Sequence, residues 1–440
     1  MISTSKPMRA GLVSRMALGA ALALGVLAGG ASPALAAKEK PAKQAPLKLS
    51  PEFQKQAAPV QKALEDVKAN PASVPAVKAQ VEQLFAAATT PDDKFVAGQF
   101  AVSLGSTAQD PALQRKGINA MLESGKSPAS EQGKLNFYAG QLAYQAKDYA
   151  AARTSLEAAI QAGYTENDPQ TLLAEIYLAE GNSAQGLGML QQSIDKMKAA
   201  GQVAPESYYR RGLLAAYNAK SVQQASGFAS GLVQNYPNTK NWGIAITIIR
   251  EIAGIPNQDM VDLLRLMGRT NSYNETRDYL EYIEAADPRR LPGEVTQILQ
   301  AGTAAGKLPA TDPTVSDAKT IAGQRLAADK AELPSLDKAA RAANATAITA
   351  LASGDAFLSY GEAAKAEALY QIALTKAGVD QPRALTRLGI AQVDQGKYAD
   401  AQATFAKITT GPRKSIAELW SAYAASKAKP AAAAPAPAAS

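Results

Sequence analysis

The chain has 440 residues, 47% of them hydrophobic and 19% charged, with a formal charge of +7 and neither cysteine nor histidine. Those two absences exclude disulfide cross-links, thiolate or imidazole metal sites, Ser-His-Asp catalysis and the commonest general base. Stability then rests on an apolar core or on many packed interfaces.

Residues 1–36 read as a cleaved secretory leader. Lys6, Arg9 and Arg15 form a positive start, residues 16–28 are a short apolar run, and Ala34-Leu35-Ala36 precedes the charged Ala37-Lys38-Glu39-Lys40. The run falls short of the roughly 20 residues of a span. The expectation is an exported chain without stable membrane insertion after cleavage, periplasmic in a Gram-negative envelope, with secretion as the alternative. Loss of the leader lowers the charge from +7 to +4. Residues 37–50 form a basic linker carrying lysines 38, 40, 43 and 48, read as a solvated tether. Basic residues elsewhere are scattered, and only Arg210-Arg211 and Arg289-Arg290 are close arginine pairs, so no nucleic-acid partner is expected.

From residue 51 onward the pattern is helical. Residues 51–130 scan as N-terminal helical pairs, with apolar residues at three-and-four spacing and Gly98 as a candidate contact glycine. Residues 131–237 repeat themselves. Gly140 overlays Ala174, Ala152 overlays Gly186 and Leu156 overlays Leu190, all 34 residues apart, and Gly212 with Phe228 starts a third unit after four extra residues. Residues 238–340 are degenerate versions of the same pair, with Pro309, Pro313 and Pro334 making 307–335 a loosened joint. In 341–425 the repeat returns with a terminal helix: Gly354 and Gly389, Gly361 and Gly396, Ala366 and Ala401, Tyr370 and Phe405 are each 35 apart. Residues 426–440 are an Ala/Pro-rich tail, predicted to be disordered.

The stretch LTRLGIAQVDQGKYADAQATF, with Leu388, Gly389, Gly396, Tyr398, Ala401 and Phe405, resembles the tetratricopeptide repeat (TPR) family. The resemblance implies an all-α solenoid of helix-turn-helix repeats in a right-handed superhelix. It gives the glycines two roles. Gly140, Gly212, Gly354 and Gly389 sit where a neighbouring helix leaves no room for a Cβ, whereas Gly361 and Gly396 end a helix at positive φ. Ala152, Ala366 and Ala401 let a helix approach, and Phe228, Tyr370 and Phe405 fill the groove between repeats.

By the same resemblance, a protein or peptide partner occupies a groove lined by Phe137, Gln141 and Tyr144, by Thr171, Glu175 and Leu178, and by Tyr209, Leu213 and Tyr217. Tyr138, Tyr177 and Tyr208 read as packing residues. Chaperone-docking TPRs hold a carboxylate with lysine and asparagine; here Phe137, Gln141 and Leu172 stand at those places, with only Arg210 charged, so that clamp is not expected. The expected function is a non-catalytic scaffold, with cell-envelope assembly as its setting and no metal or cofactor. One alternative is a cell-wall glycan-cleaving enzyme, lytic transglycosylase-like, using Glu123-Ser124 or Glu206-Ser207; GLGMLQQ echoes its second motif, but Gly186 and Leu190 already have packing roles. The other is an envelope surface factor held by the basic linker.

Overall fold

A computed structural model describes residues 46–428. The expected secretory leader, the linker to residue 45 and the tail from residue 429 lie outside the described residues. Within them the chain is all-α, with twenty α-helices, one 3-10 turn and no strand. It divides into two compact units, one ending at Met189 and the other starting at Leu190. That boundary falls inside the expected 131–237 block.

The first unit holds α1 (Pro51–Asp66), α2 (Val74–Ala87), α3 (Pro91–Ala108), α4 (Pro111–Glu123), α5 (Ala129–Gln145), α6 (Tyr149–Gln161), α7 (Pro169–Ala179) and the start of α8 (Ser183–Ala199). The end of the linker is not a free tether. Leu47 and Leu49 pack on the core, Lys48 N–H donates to Asp92 (2.8 Å), and Ser50 donates to Asp93 through N–H and hydroxyl (2.9 and 2.8 Å). Asp93 is also the N3 partner of Thr90 in a capping box that starts α3. Where α3 crosses α4 the backbones touch: a Cβ on Gly98 would stand 2.6 Å from the Gly117 carbonyl oxygen.

The second unit holds α9 (Glu206–Asn218), α10 (Val222–Asn235), α11 (Thr239–Ile252), α12 (Asn257–Thr270), α13 (Thr276–Ala286), α14 (Pro292–Ala304), α15 (Pro313–Arg341), α16 (Ala347–Ser359), α17 (Ala363–Leu374), α18 (Gln381–Asp394), α19 (Tyr398–Phe405) and α20 (Pro412–Ala428). The loosened joint at 307–335 is corrected here. α15 runs unbroken through most of it, because Pro313 sits in the first turn, where no N–H is needed, and Pro334 is exposed, so its missing donor breaks no buried bond. α20 likewise extends to Ala428, into the expected tail.

Both units use TPR-like helix pairs, and contact glycines set the close approach. A Cβ on Gly140 would meet Leu156 Cγ at 2.7 Å, and one on Gly354 would meet the Tyr370 ring at 2.6 Å. On Gly212 and Gly389 it would run into the rings of Phe228 and Phe405. Phe228, Tyr370 and Phe405 therefore cover the glycine of their own helix pair, and Phe405 also stacks on Trp420 of α20, with ring centroids 6.5 Å apart. In α7 and α8 the small residue has changed sides: Ala174 stands on the first helix, and Gly186 on the second lies under Leu178. Ala152, Ala366 and Ala401 are fully buried.

The turn between paired helices is also repeated. Asp148, Asn182, Ser221, Glu362 and Lys397 each donate a backbone N–H five residues back, at 2.8–3.0 Å. This Schellman closure needs a left-handed residue before it. Gly181, Gly361 and Gly396 supply it at φ 81°, 76° and 75°, and Lys147 and Lys220 do so at 61° and 51°.

Candidate binding surface on the first helices

The second unit closes upon itself. α20 packs against α10, α12, α18 and α19, and α18 also meets α12. At this junction lies a buried ion network that no motif in the sequence announces. The fully buried Asp262 of α12 accepts from Arg265 (2.8 Å), from Arg387 of α18 (3.2 Å) and from Arg413 of α20 (2.9 Å). Arg413 and Arg383 converge on Asp259 at 2.6 and 2.9 Å, and Arg265 holds Glu294 of α14 through two bonds. Trp420 donates its indole N–H to the Asp262 carbonyl (2.7 Å). Burial pushes the Asp262 carboxyl up, but the guanidiniums of Arg387, Arg413 and Arg265 reverse this and hold it well below the usual carboxylate range. Glu294 follows the same balance, with burial opposed mainly by Arg265.

α10 and α12, the second helices of their pairs, are thus covered, while α9, α11, α13 and α15 are left as a layer; α18, the first helix of the Gly389 pair, is buried in the junction itself. α9 touches α11 and α13 touches α15, just as α5 touches α7 in the first unit. α11 reaches α13 through Arg250, whose guanidinium lies 2.8 Å from Asp278 and 3.1 Å from Glu281. Tyr217 of α9 donates to Glu251 at 2.7 Å; that bond and the carboxylate's charge push the phenol pKa up. Along this layer apolar side chains reach the surface. Leu214 is 57% exposed, and Ile244, Ile248, Leu280 and Ile321 are half-buried.

The residues expected to line a groove divide by helical position. Phe137, Thr171 and Tyr209 stand three residues before Gly140, Ala174 and Gly212, hence on the same helix face as the contact position. All three are buried. Phe137 packs its ring against Tyr138 and Tyr164, Thr171 donates its hydroxyl to the cap Asp168 at 2.6 Å, and Tyr209 lies on Gly231. Leu213 is wholly buried and Leu178 covers Gly186. For Phe137, Thr171, Tyr209 and Leu213 the assignment to an open groove is corrected, because they hold helices together; Leu178 is half-buried. Gln141, Tyr144, Glu175 and Tyr217 are half-buried and remain at the surface of their own units. Of the residues read as packing, Tyr208 is buried, and Tyr138 and Tyr177 are half-buried.

Each unit carries a cleft. In the first, Pro111, Ala112, Leu142 and Ala146 floor a space of about 470 Å³ between α4 and α5. Its rim cations are engaged, Arg115 with Asp148 (2.6 Å) and Lys116 with Glu82. In the second, α13 and α15 part around about 690 Å³ lined by Leu280, Ile283, Pro288, Pro313, Ala318 and Ile321, with Arg277, Glu281, Glu284, Thr314 and Asp317 at its edge.

Of the two carboxylates named for glycan cleavage, Glu123 and Glu206, the second does not have the environment of a general acid. Glu206 accepts from Arg210 (2.6 Å) and Asn241 (3.1 Å), and these bonds hold its pKa below the ordinary value, whereas proton donation near neutrality needs it raised. Among the described residues no group of three or more carboxylates is placed to hold a metal, and no helix is long and apolar enough to cross a membrane.

No protein-family model matches the chain, and neither does any curated protein sequence. Among solved structures, a chain of Naa15/Naa10 bound to HypK-THB is 14% identical, with 83% of this chain and 69% of that chain covered, at a TM-score of 0.37. A chain of the APC/C hetero-tetramer Cut9-Hcn1 is 12% identical, with 84% and 85% covered, at a TM-score of 0.19. Neither is close enough in arrangement to transfer a site.

Proposed function

We propose that the chain is an exported, non-catalytic scaffold that holds a protein or peptide partner against its first helices. One observation carries the reading. In the second unit α10 and α12 are covered by α20, whereas α9, α11, α13 and α15 keep Leu214, Leu280 and Ile321 at the surface beside an open cleft. Apolar side chains ringed by polar ones on a layer of parallel helices suit a peptide or helix laid across them. A sequence without histidine or cysteine supports binding over catalysis. Export to the periplasm, and a setting in envelope assembly, rest on the leader grammar of residues 1–36.

Photo-crosslinking in intact cells tests this. A photoreactive residue at Leu280 should give a discrete crosslinked product, and one at Gln300, exposed on α14, should not. Equal yield from both positions, or none from Leu280, would remove the first-helix assignment. Recovery of mature chain beginning at Ala37 from the periplasmic fraction tests export; an uncleaved cytoplasmic chain would contradict it.

A further inference from the structure

The cleft between α13 and α15 has a chemical bias beyond its shape. Its floor is apolar and its edge carries three carboxylates, Glu281, Glu284 and Asp317, against the single cation Arg277. Glu281 is already shared between Arg277 (2.5 Å) and Arg250 (3.1 Å), so that charge is spent within the protein. Glu284 accepts only the Asn257 amide, at 3.1 Å, and Asp317 has no ion-pair partner among the described residues. Arg289 and Arg290 follow Pro288 in sequence but do not line the space. Two uncompensated carboxylates therefore flank Leu280 and Ile321, on opposite walls.

Resting on the scaffold reading above, we infer that this cleft receives a basic amphipathic segment of the partner, with its apolar side chains on Leu280, Pro288 and Ile321 and a lysine or arginine facing Glu284 and Asp317. An acidic segment would place like charges together, and a purely apolar one would desolvate both carboxylates without return.

The test uses two fluorescently labelled helical peptides of equal length, one of leucine and lysine and one of leucine and glutamate, titrated with the full chain and followed by anisotropy. The lysine peptide should bind and the glutamate peptide should not. Combining Glu284→Gln with Asp317→Asn should weaken the lysine peptide about fivefold, as two partly exposed ion pairs do. Asp400→Asn, at an exposed acid on α19, should leave binding unchanged, and all variants should keep the parent melting temperature. Equal affinity for the two peptides, no effect of the double change, or equal weakening by Asp400→Asn would overturn the inference. Tighter peptide binding after deletion of residues 37–45 would also overturn it, by making the chain's own lysine run the occupant. Absent lysine-peptide binding with persisting crosslinks from Leu280 would overturn the basic chemistry alone and leave the scaffold standing; bound peptide with no such crosslinks would do the reverse.

Discussion

The unit ending at Met189 and the unit that follows are made from the same helix pair, with the same Schellman turn and the same bare contact position, but they bury different things. The first is apolar inside: Phe53, Leu84, Phe100, Ile118 and Met121 fill the core around α3 and α4, and its buried Asp93 is satisfied by hydroxyls and backbone N–H groups at one helix start. The second places Asp262, Arg265, Glu294, Arg387 and Arg413 out of water, where α12, α14, α18 and α20 meet. Hydrophobic stacking is non-directional and tolerates adjustment, whereas a buried ion network is stable only while every member keeps its partner. The same repeat thus builds a forgiving stack in one place and a geometrically strict closure in another.

The largest effect should follow from breaking that closure. Asp262→Ala leaves Arg265, Arg387 and Arg413 without their shared anion and is expected to cost about 3–5 kcal/mol. Both tryptophans, Trp242 and Trp420, belong to the second unit, so urea unfolding followed by their fluorescence reads this unit alone. A midpoint unchanged from the parent would contradict the network's role.

Next comes the contact position. Gly389→Leu must displace the Phe405 ring and should cost about 1–3 kcal/mol. The matching change at Gly140 meets the fully buried Leu156 and also the Ala152 backbone carbonyl at 3.1 Å, which cannot turn away as a ring can, so it should cost more. Equal losses at the two sites in thermal melts would erase this distinction.

Acid should weaken the ion network as well; in the first unit burial pushes Asp93 up but bonds from Ser50 and Thr90 lower it, so that unit is acid-sensitive too. Asp262 and Glu294 have folded-state pKa values below their unfolded ones, so they add stability above the unfolded carboxylate value of about 4, and that stability is lost as pH falls through the folded values. Tryptophan emission should shift as pH drops below about 4, because Trp420, which donates to the backbone carbonyl of Asp262, loses its buried setting when the network opens. Emission that stayed constant while helicity fell would assign acid sensitivity to the first unit alone.

The smallest effect concerns the turns. Lys147→Gly and Lys220→Gly relieve a left-handed side-chain residue and should each stabilise by about 0.5–1 kcal/mol, one in each unit. Lowered melting temperatures for both would show that these lysines make contacts worth more than the strain.

These positions also show what the sequence could carry. Gly354 with Gly389 and Gly361 with Gly396 were legible because only glycine tolerates either a helix pressed on its Cα or a φ near 75°, and a 35-residue stride makes both visible. Lys147 and Lys220 occupy the same turn slot without a sign of it, since a lysine is at home on any surface. The ion network was illegible because Arg387 and Arg413 follow Asp262 by 125 and 151 residues, and only the tertiary fold brings them together. At Phe137, Thr171 and Tyr209 the expected groove face is instead the packed one, and the sequence carries the signal: three residues before the contact position lies the face that packs on the paired helix. Leu214, two residues after Gly212, is the kind of position that stays open.

The central claim is that the second unit is sealed along α10 and α12 by α20 and open along α9, α11, α13 and α15. A chain with no cysteine of its own allows the most direct measurement, thiol-labelling rates of single Leu280→Cys and Ser226→Cys variants. Ser226 is buried and bonded to Ser415 of α20 at 2.8 Å, so its replacement should label only as fast as the unit opens, whereas Leu280→Cys, half-buried on the cleft wall, should label many times faster. Comparable rates at the two positions in the native chain would contradict the account.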